Sequence, residues 1–166
     1  MSKLSSFLIL DAARMGEQII RAKELNPEHR SLFHGLKNTE GLSGVAPYLF
    51  QYEPDSDFFT WFLENGWGKS WGIIVMSDTR LRHLHSHFQE FLNVKTEDGK
   101  EFYFRFYDPR VIGTFLLSCD PGQLRDFFDD ITRFIVEKPG TDTITLYSLI
   151  KGTLQVNEDT ISSLTH

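Results

Sequence analysis

A chain of 166 residues and 19.2 kDa, 40% of them hydrophobic, is long enough for one well-cored domain and short for two. The formal net charge of −6 and a pI near 5.5 argue against a nucleic-acid partner, because phosphate binding needs a concentration of Lys and Arg that this composition lacks. A single cysteine, Cys119, excludes an internal disulfide and a cysteine-clustered zinc site.

Residues 7–10, FLIL, form a short apolar run that suits a strand buried on both faces. The run reaches Asp11 too soon for a signal-peptide core, and nowhere do about 18 apolar residues follow one another to span a membrane. The expectation is a cytoplasmic protein with no membrane partner. Residues 12–25 carry Met15, Ile19, Ile20 and Ala22 at mostly helical spacing and stop at Asn26 and Pro27. Residues 37–44 are rich in Gly, Asn and Ser and predict a loop; 45–52 predict a strand with Pro47 near its start.

Residues 55–65 place Asp and Ser ahead of five large apolar residues and end at Gly66, which predicts a capped helix. WGKSWG then makes a glycine-punctuated turn into a strand over 73–76, and Leu81, Leu84, Phe88, Phe91 and Leu92 mark one face of a helix over 79–94. Asp98 and Gly99 turn the chain into EFYFRFYDPRV at 101–111, read as a strand that delivers Arg105 and Arg110 to a helix capped by Asp108 and started by Pro109. Asp120 and Pro121 repeat that signal for a helix to Phe128. Strands over 132–137 and 143–150 flank KPGTD as a hairpin, and the polar residues 156–166 form a fraying tail. The predicted fold is a single α/β domain of mixed α+β type over residues 1–155, a mixed sheet covered by helices and closed by a C-terminal antiparallel hairpin.

Three groups invite a chemical reading. HLHSH places His83 and His87 one helical turn apart, a spacing that can bind a metal, but no Glu follows His83 as the zinc-protease pattern requires; solvated or capping histidines are the alternative. Cys119, beside Leu116 and Leu117, reads as a small buried hydrophobe rather than a nucleophile. The group Arg105, Asp108 and Arg110 can fork onto a partner carboxylate, or its arginines can pair with internal carboxylates and pin the corner. Trp67 and Trp71 divide in the same way between core plugs and anchors for another chain. Serine-hydrolase elbows and glycine-rich phosphate loops are absent, so neither a catalytic residue nor a cofactor is assigned.

GVAPYLF at 44–50, WGKSWGIIVMSD at 67–78, HFQEFLNV at 87–94 and DGKEFYFRFYDPRV at 98–111, taken in this order and spacing, resemble the type VI secretion effector chaperone and adaptor family, which carries the DUF4123 domain. The resemblance runs from the FLILDAAR opening to about Phe128. It implies a cytoplasmic, non-catalytic adaptor that holds a cognate effector protein and helps load it onto the VgrG spike. The family's motif positions fall here on Pro47, Tyr48, Trp71, Ser77, His87, Arg105, Tyr107, Asp108 and Arg110. Gln89 stands where the family often has an arginine, which removes any ion pair made there. A small metal-dependent enzyme built on HLHSH and an immunity protein that neutralises a toxin are the other classes this sequence allows.

Overall fold

The structure, a computed structural model, describes residues 3–37, 39–95 and 97–165. In chain order its elements are β1 (Ser5–Asp11), α1 (Ala12–Met15), α2 (Gln18–Leu25), β2 (His29–Ser31), β3 (Pro47–Tyr52), α3 (Asp57–Asn65), β4 (Gly72–Ser77), α4 (Leu81–Leu92), β5 (Asn93–Lys95), β6 (Glu101–Tyr103), α5 (Ile112–Ser118), α6 (Pro121–Phe128), β7 (Ile131–Glu137), β8 (Thr143–Ile150) and β9 (Thr153–Thr160). Strands whose two faces are both covered must be apolar throughout, and FLIL, PYLF and IIV supply β1, β3 and β4 at the centre of the sheet. The order is β2-β3-β1-β4-β7-β8-β9, with β5 and β6 forming a separate two-stranded ribbon.

Alternation of side chains gives the sheet two packed faces. On one, Phe58 of α3 stacks on Phe50 at 4.9 Å between ring centroids and Phe59 on Tyr52 at 4.5 Å. On the other, Phe134 of β7 meets Phe127 and Phe128 of α6 at 5.2 and 5.1 Å, and Phe106 links Phe88 of α4 to Phe127. The aromatic load is thus divided between two helical layers, and the largest fully buried side chains are phenylalanines.

The α+β content and the β7–β8 hairpin agree with the sequence expectation, while four local readings change. Every ladder is antiparallel where mixed pairing was expected, because successive central strands reverse direction across the sheet. The helix expected over 12–25 breaks in two at Gly16, whose φ of +60° leaves the helical region. The strand in EFYFRFYDPRV ends at Tyr103, and the next helix starts at Ile112 rather than Pro109. The tail expected to fray from residue 156 is instead the outer half of β9, paired with β8 from Ile150↔Thr153 to Thr143↔Thr160.

Candidate functional site

β1 ends on Asp11, a buried carboxylate that accepts from the Ala13 N–H at 3.0 Å and so caps α1. Its own N–H donates to the Trp71 carbonyl at 2.8 Å, and Pro47 lies opposite it on β3. From the far side of the sequence, Arg105 reaches Asp11 with a charge-assisted hydrogen bond. This contact stops the strand reading of FRFY: Phe104 still donates its N–H to Leu92, and the chain then folds over so that Arg105 can reach the end of β1.

Asp108 does not cap a helix. Its carboxylate takes the Arg110 N–H at 2.8 Å, Arg110 Nε at 3.0 Å and Arg110 Nη2 at 2.7 Å, a fork that closes a tight turn on itself. Burial alone would raise the Asp108 pKa, but these donors hold it below its ordinary value. Asp11 moves the other way, because burial outweighs the attraction of Arg105. Tyr107 is buried between them, and burial, with Asp11 adding to it, pushes the phenol up so that it stays protonated.

The WGKSWG loop closes the same corner. Glu137, the last residue of β7, accepts the Gly68 N–H at 2.8 Å and the Ser70 N–H at 2.7 Å, and its carboxyl is raised chiefly by burial against those bonds. Gly72 is required by contact: a Cβ there would stand 1.7 Å from the Ile9 carbonyl oxygen on the neighbouring strand. Gly66 makes room for the Trp71 ring in the same way. Trp71 is buried against Trp61 and Phe62 and plugs the core side of the loop, while Trp67 packs edge-on to Phe62 and is only partly buried. Trp67 Nε1 is buried with no hydrogen-bond partner among the described residues.

The corner therefore gathers Pro47, Trp67, Trp71, Arg105, Tyr107, Asp108 and Arg110 with two residues that the sequence reading passed over, Asp11 and Glu137. Their signal was present: each is an acid that terminates an apolar strand, LILD and FIVE. Tyr48 lies just beside this group, with its hydroxyl donating to Ser43 and Lys23 over its ring. Ser77 and His87 belong to the other end of the sheet. Ser77 Oγ donates to the Asp130 carbonyl at 2.6 Å, and His87 Nε2 donates to the Phe127 carbonyl at 2.6 Å, so both hold the turn between α6 and β7.

The three histidines of HLHSH make separate hydrogen bonds. His85 bonds the Ser31 carbonyl at 2.7 Å, and burial lowers its pKa; His83 meets Asp129 and Asp130, each at 3.1 Å. Gln89 donates to the carbonyls of Leu32 and His34, so an amide ties α4 to the loop after β2 where an ion pair was forgone. Cys119 is half-buried, and burial, helped by Asp120, raises its thiol, the opposite of what a nucleophile needs.

The family model described as "Domain of unknown function (DUF4123)" matches residues 6–126, more than half of the chain, so the chain belongs to that family. The matched span takes in the elements from β1 to most of α6 and leaves β7, β8 and β9 outside it. No curated protein and no solved structure matches. No helix among the described residues is long and apolar enough to cross a membrane.

Proposed function

We propose that this DUF4123 protein is a non-catalytic adaptor of the cytoplasm that binds a cognate type VI secretion effector and promotes its loading onto the VgrG spike. The observation that carries this reading is the internal satisfaction of the signature corner. Asp11 is met by Arg105, Asp108 by Arg110 and Glu137 by two loop amides, which leaves these groups engaged with the fold rather than aimed at a substrate. The signature is a brace for a scaffold, and recognition falls to surfaces around it.

Those surfaces have the right character. Ile20, Val45, Leu117, Ile150 and Val156 are large apolar side chains exposed to solvent, and β9 leaves one edge of the sheet unpaired. Apolar anchors with few permanent charges, or a free strand edge, suit a partner that must be held and then released. Affinity purification of the tagged protein from its native host is expected to recover an effector encoded beside it together with a VgrG protein. Recovery of neither sinks the proposal, and neutralisation of a toxin without its secretion replaces it with an immunity role.

A further inference from the structure

The two edges of the main sheet are unequally protected. At one, β2 is three residues long, and its last carbonyl, that of Ser31, already accepts from His85 of α4 at 2.7 Å. At the other, β9 runs for eight residues without proline or glycine, and its pairing with β8 keeps one register from Ile150↔Thr153 to Thr143↔Thr160 with no bulge. Natural sheets blunt a long edge with proline, lysine or a bulge, because its unpaired backbone is a template for another strand. TLQVNEDT has none of these.

The turn before β9 fixes which backbone groups face outward. Lys151 and Gly152 have φ of +52° and +79°, the pattern of a two-residue type I′ hairpin, whose flanking pair, Ile150 and Thr153, is the hydrogen-bonded one. Alternation then commits Thr153, Gln155, Asn157 and Asp159 to β8 and leaves the N–H and C=O groups of Leu154, Val156 and Glu158 pointing off the sheet. The next outward N–H, that of Thr160, donates to the Asp159 side chain at 2.7 Å. Val156, 48% exposed, stands at the middle of the free row.

This strand is complementary to itself. A second copy laid antiparallel about Val156 puts Val156 against Val156, Gln155 against Asn157, Leu154 against Glu158 and Thr153 against Asp159. The outward groups of Leu154, Val156 and Glu158 then all find partners, amide side chain faces amide side chain, and no two like charges are opposed. Within its own chain Glu158 keeps Lys138 at 3.2 Å. Centring the pair on Asn157 instead would make Glu158 of the two copies diagonal neighbours, where like charges repel. We infer that β9 pairs antiparallel with β9 of a second copy, centred on Val156, so that the two sheets join into one. The joined edge falls near or below the roughly 1,200 Å2 low end of specific interfaces, so the dimer forms with rising concentration rather than permanently. The inference rests on this edge alone and stands whether or not the chain is an adaptor; with both, Ile20 and Val45, outside the hairpin, remain for cargo.

The test is sedimentation velocity of tag-free full-length protein from about 1 to 200 µM. The mass should rise from 19.2 kDa toward twice that value. Val156→Pro removes one outward N–H while sparing the bonds to β8, and Val156→Lys adds an edge charge at an exposed position; each should weaken dimerisation at least about tenfold with the circular dichroism spectrum unchanged. In a Cys119→Ser background, oxidised Val156→Cys should give a disulfide-linked dimer, since a hydrogen-bonded antiparallel pair has Cα atoms about 5.5 Å apart. Asn157→Cys should not, because its two copies lie beyond the reach of about 7 Å that a bridge allows. A chain that stays monomeric throughout the range overturns the inference, as does a dimer that survives Val156→Lys at full strength or cross-linking through Asn157→Cys as efficient as through Val156→Cys. If the wild type never dimerises and Val156→Lys loses effector capture, the edge belongs to a strand of the effector instead.

Discussion

The two ends of the central sheet use similar side chains under opposite conditions. At the end of β1 and β7, Asp11, Asp108 and Glu137 are buried and each has a committed donor. Just before β7, Asp129 and Asp130 are about half exposed and both meet His83, which is itself about half exposed. A buried carboxylate without a partner is costly, so the first set keeps its donors as part of the fold. Exposed carboxylates tolerate an open partner, so the second set can exchange one. Burial, more than residue type, separates the brace from the open ion pair.

The strongest challenge to that distinction is Arg105→Ala. It strands the Asp11 carboxylate, which is 2% exposed, and should cost about 2–4 kcal/mol, below the full cost of an unpaired buried charge because Arg105 itself is 43% exposed. Soluble yield and the urea midpoint should fall before effector binding does, and Asp108→Ala should behave alike. A variant that keeps wild-type stability yet captures no effector would make the corner a recognition site instead.

A smaller effect separates the acids within the corner by pH. Asp108 has a folded pKa below its ordinary 3.8, so the stability it contributes is present above that value and is lost as pH falls through the folded pKa. Asp11 and Glu137 are raised, and they act with the opposite sign: the folded state is favoured while they hold protons, and that advantage is lost as pH rises through their folded values. Asp108→Asn leaves both of those acids in place. It should be about 1–2 kcal/mol less stable than wild type near neutrality, and the gap should close as the pH drops below 3.8 in a series of urea midpoints. A gap that stays constant would show that the turn needs the Asp108 shape rather than its charge.

Local signals carried much of the fold, and distance in sequence marks where they stopped. The α6 start is written out in Asp120, Pro121 and Gln123, which form a reciprocal capping box, and Ser56 caps α3 as its place before the Phe-rich run predicts. β9 was hidden because an outer strand with little cover needs no apolar alternation, and TLQVNEDT is exposed along nearly its whole length. EFYFRFY looks like one strand because its aromatics could serve either element. What ends it is a partner 94 residues away, which no local pattern reveals. The same holds for the histidines: spacing along α4 pairs His83 with His87, while the carboxylates that His83 meets come from the turn before β7.

The smallest expected effect is the most discriminating one. His83 is 48% exposed and its carboxylate partners are similarly open, so the contacts of His83 compete with water and with side-chain freedom. His83→Ala should then change stability by no more than about 0.5 kcal/mol, several-fold less than Arg105→Ala, although each removes a cationic or hydrogen-bonding partner from aspartate. The comparison is made by urea midpoints of the two variants measured side by side. If His83→Ala costs as much as Arg105→Ala, exposure is not what distinguishes the two ends, and the turn before β7 is braced by its histidine as firmly as β1 is by its arginine.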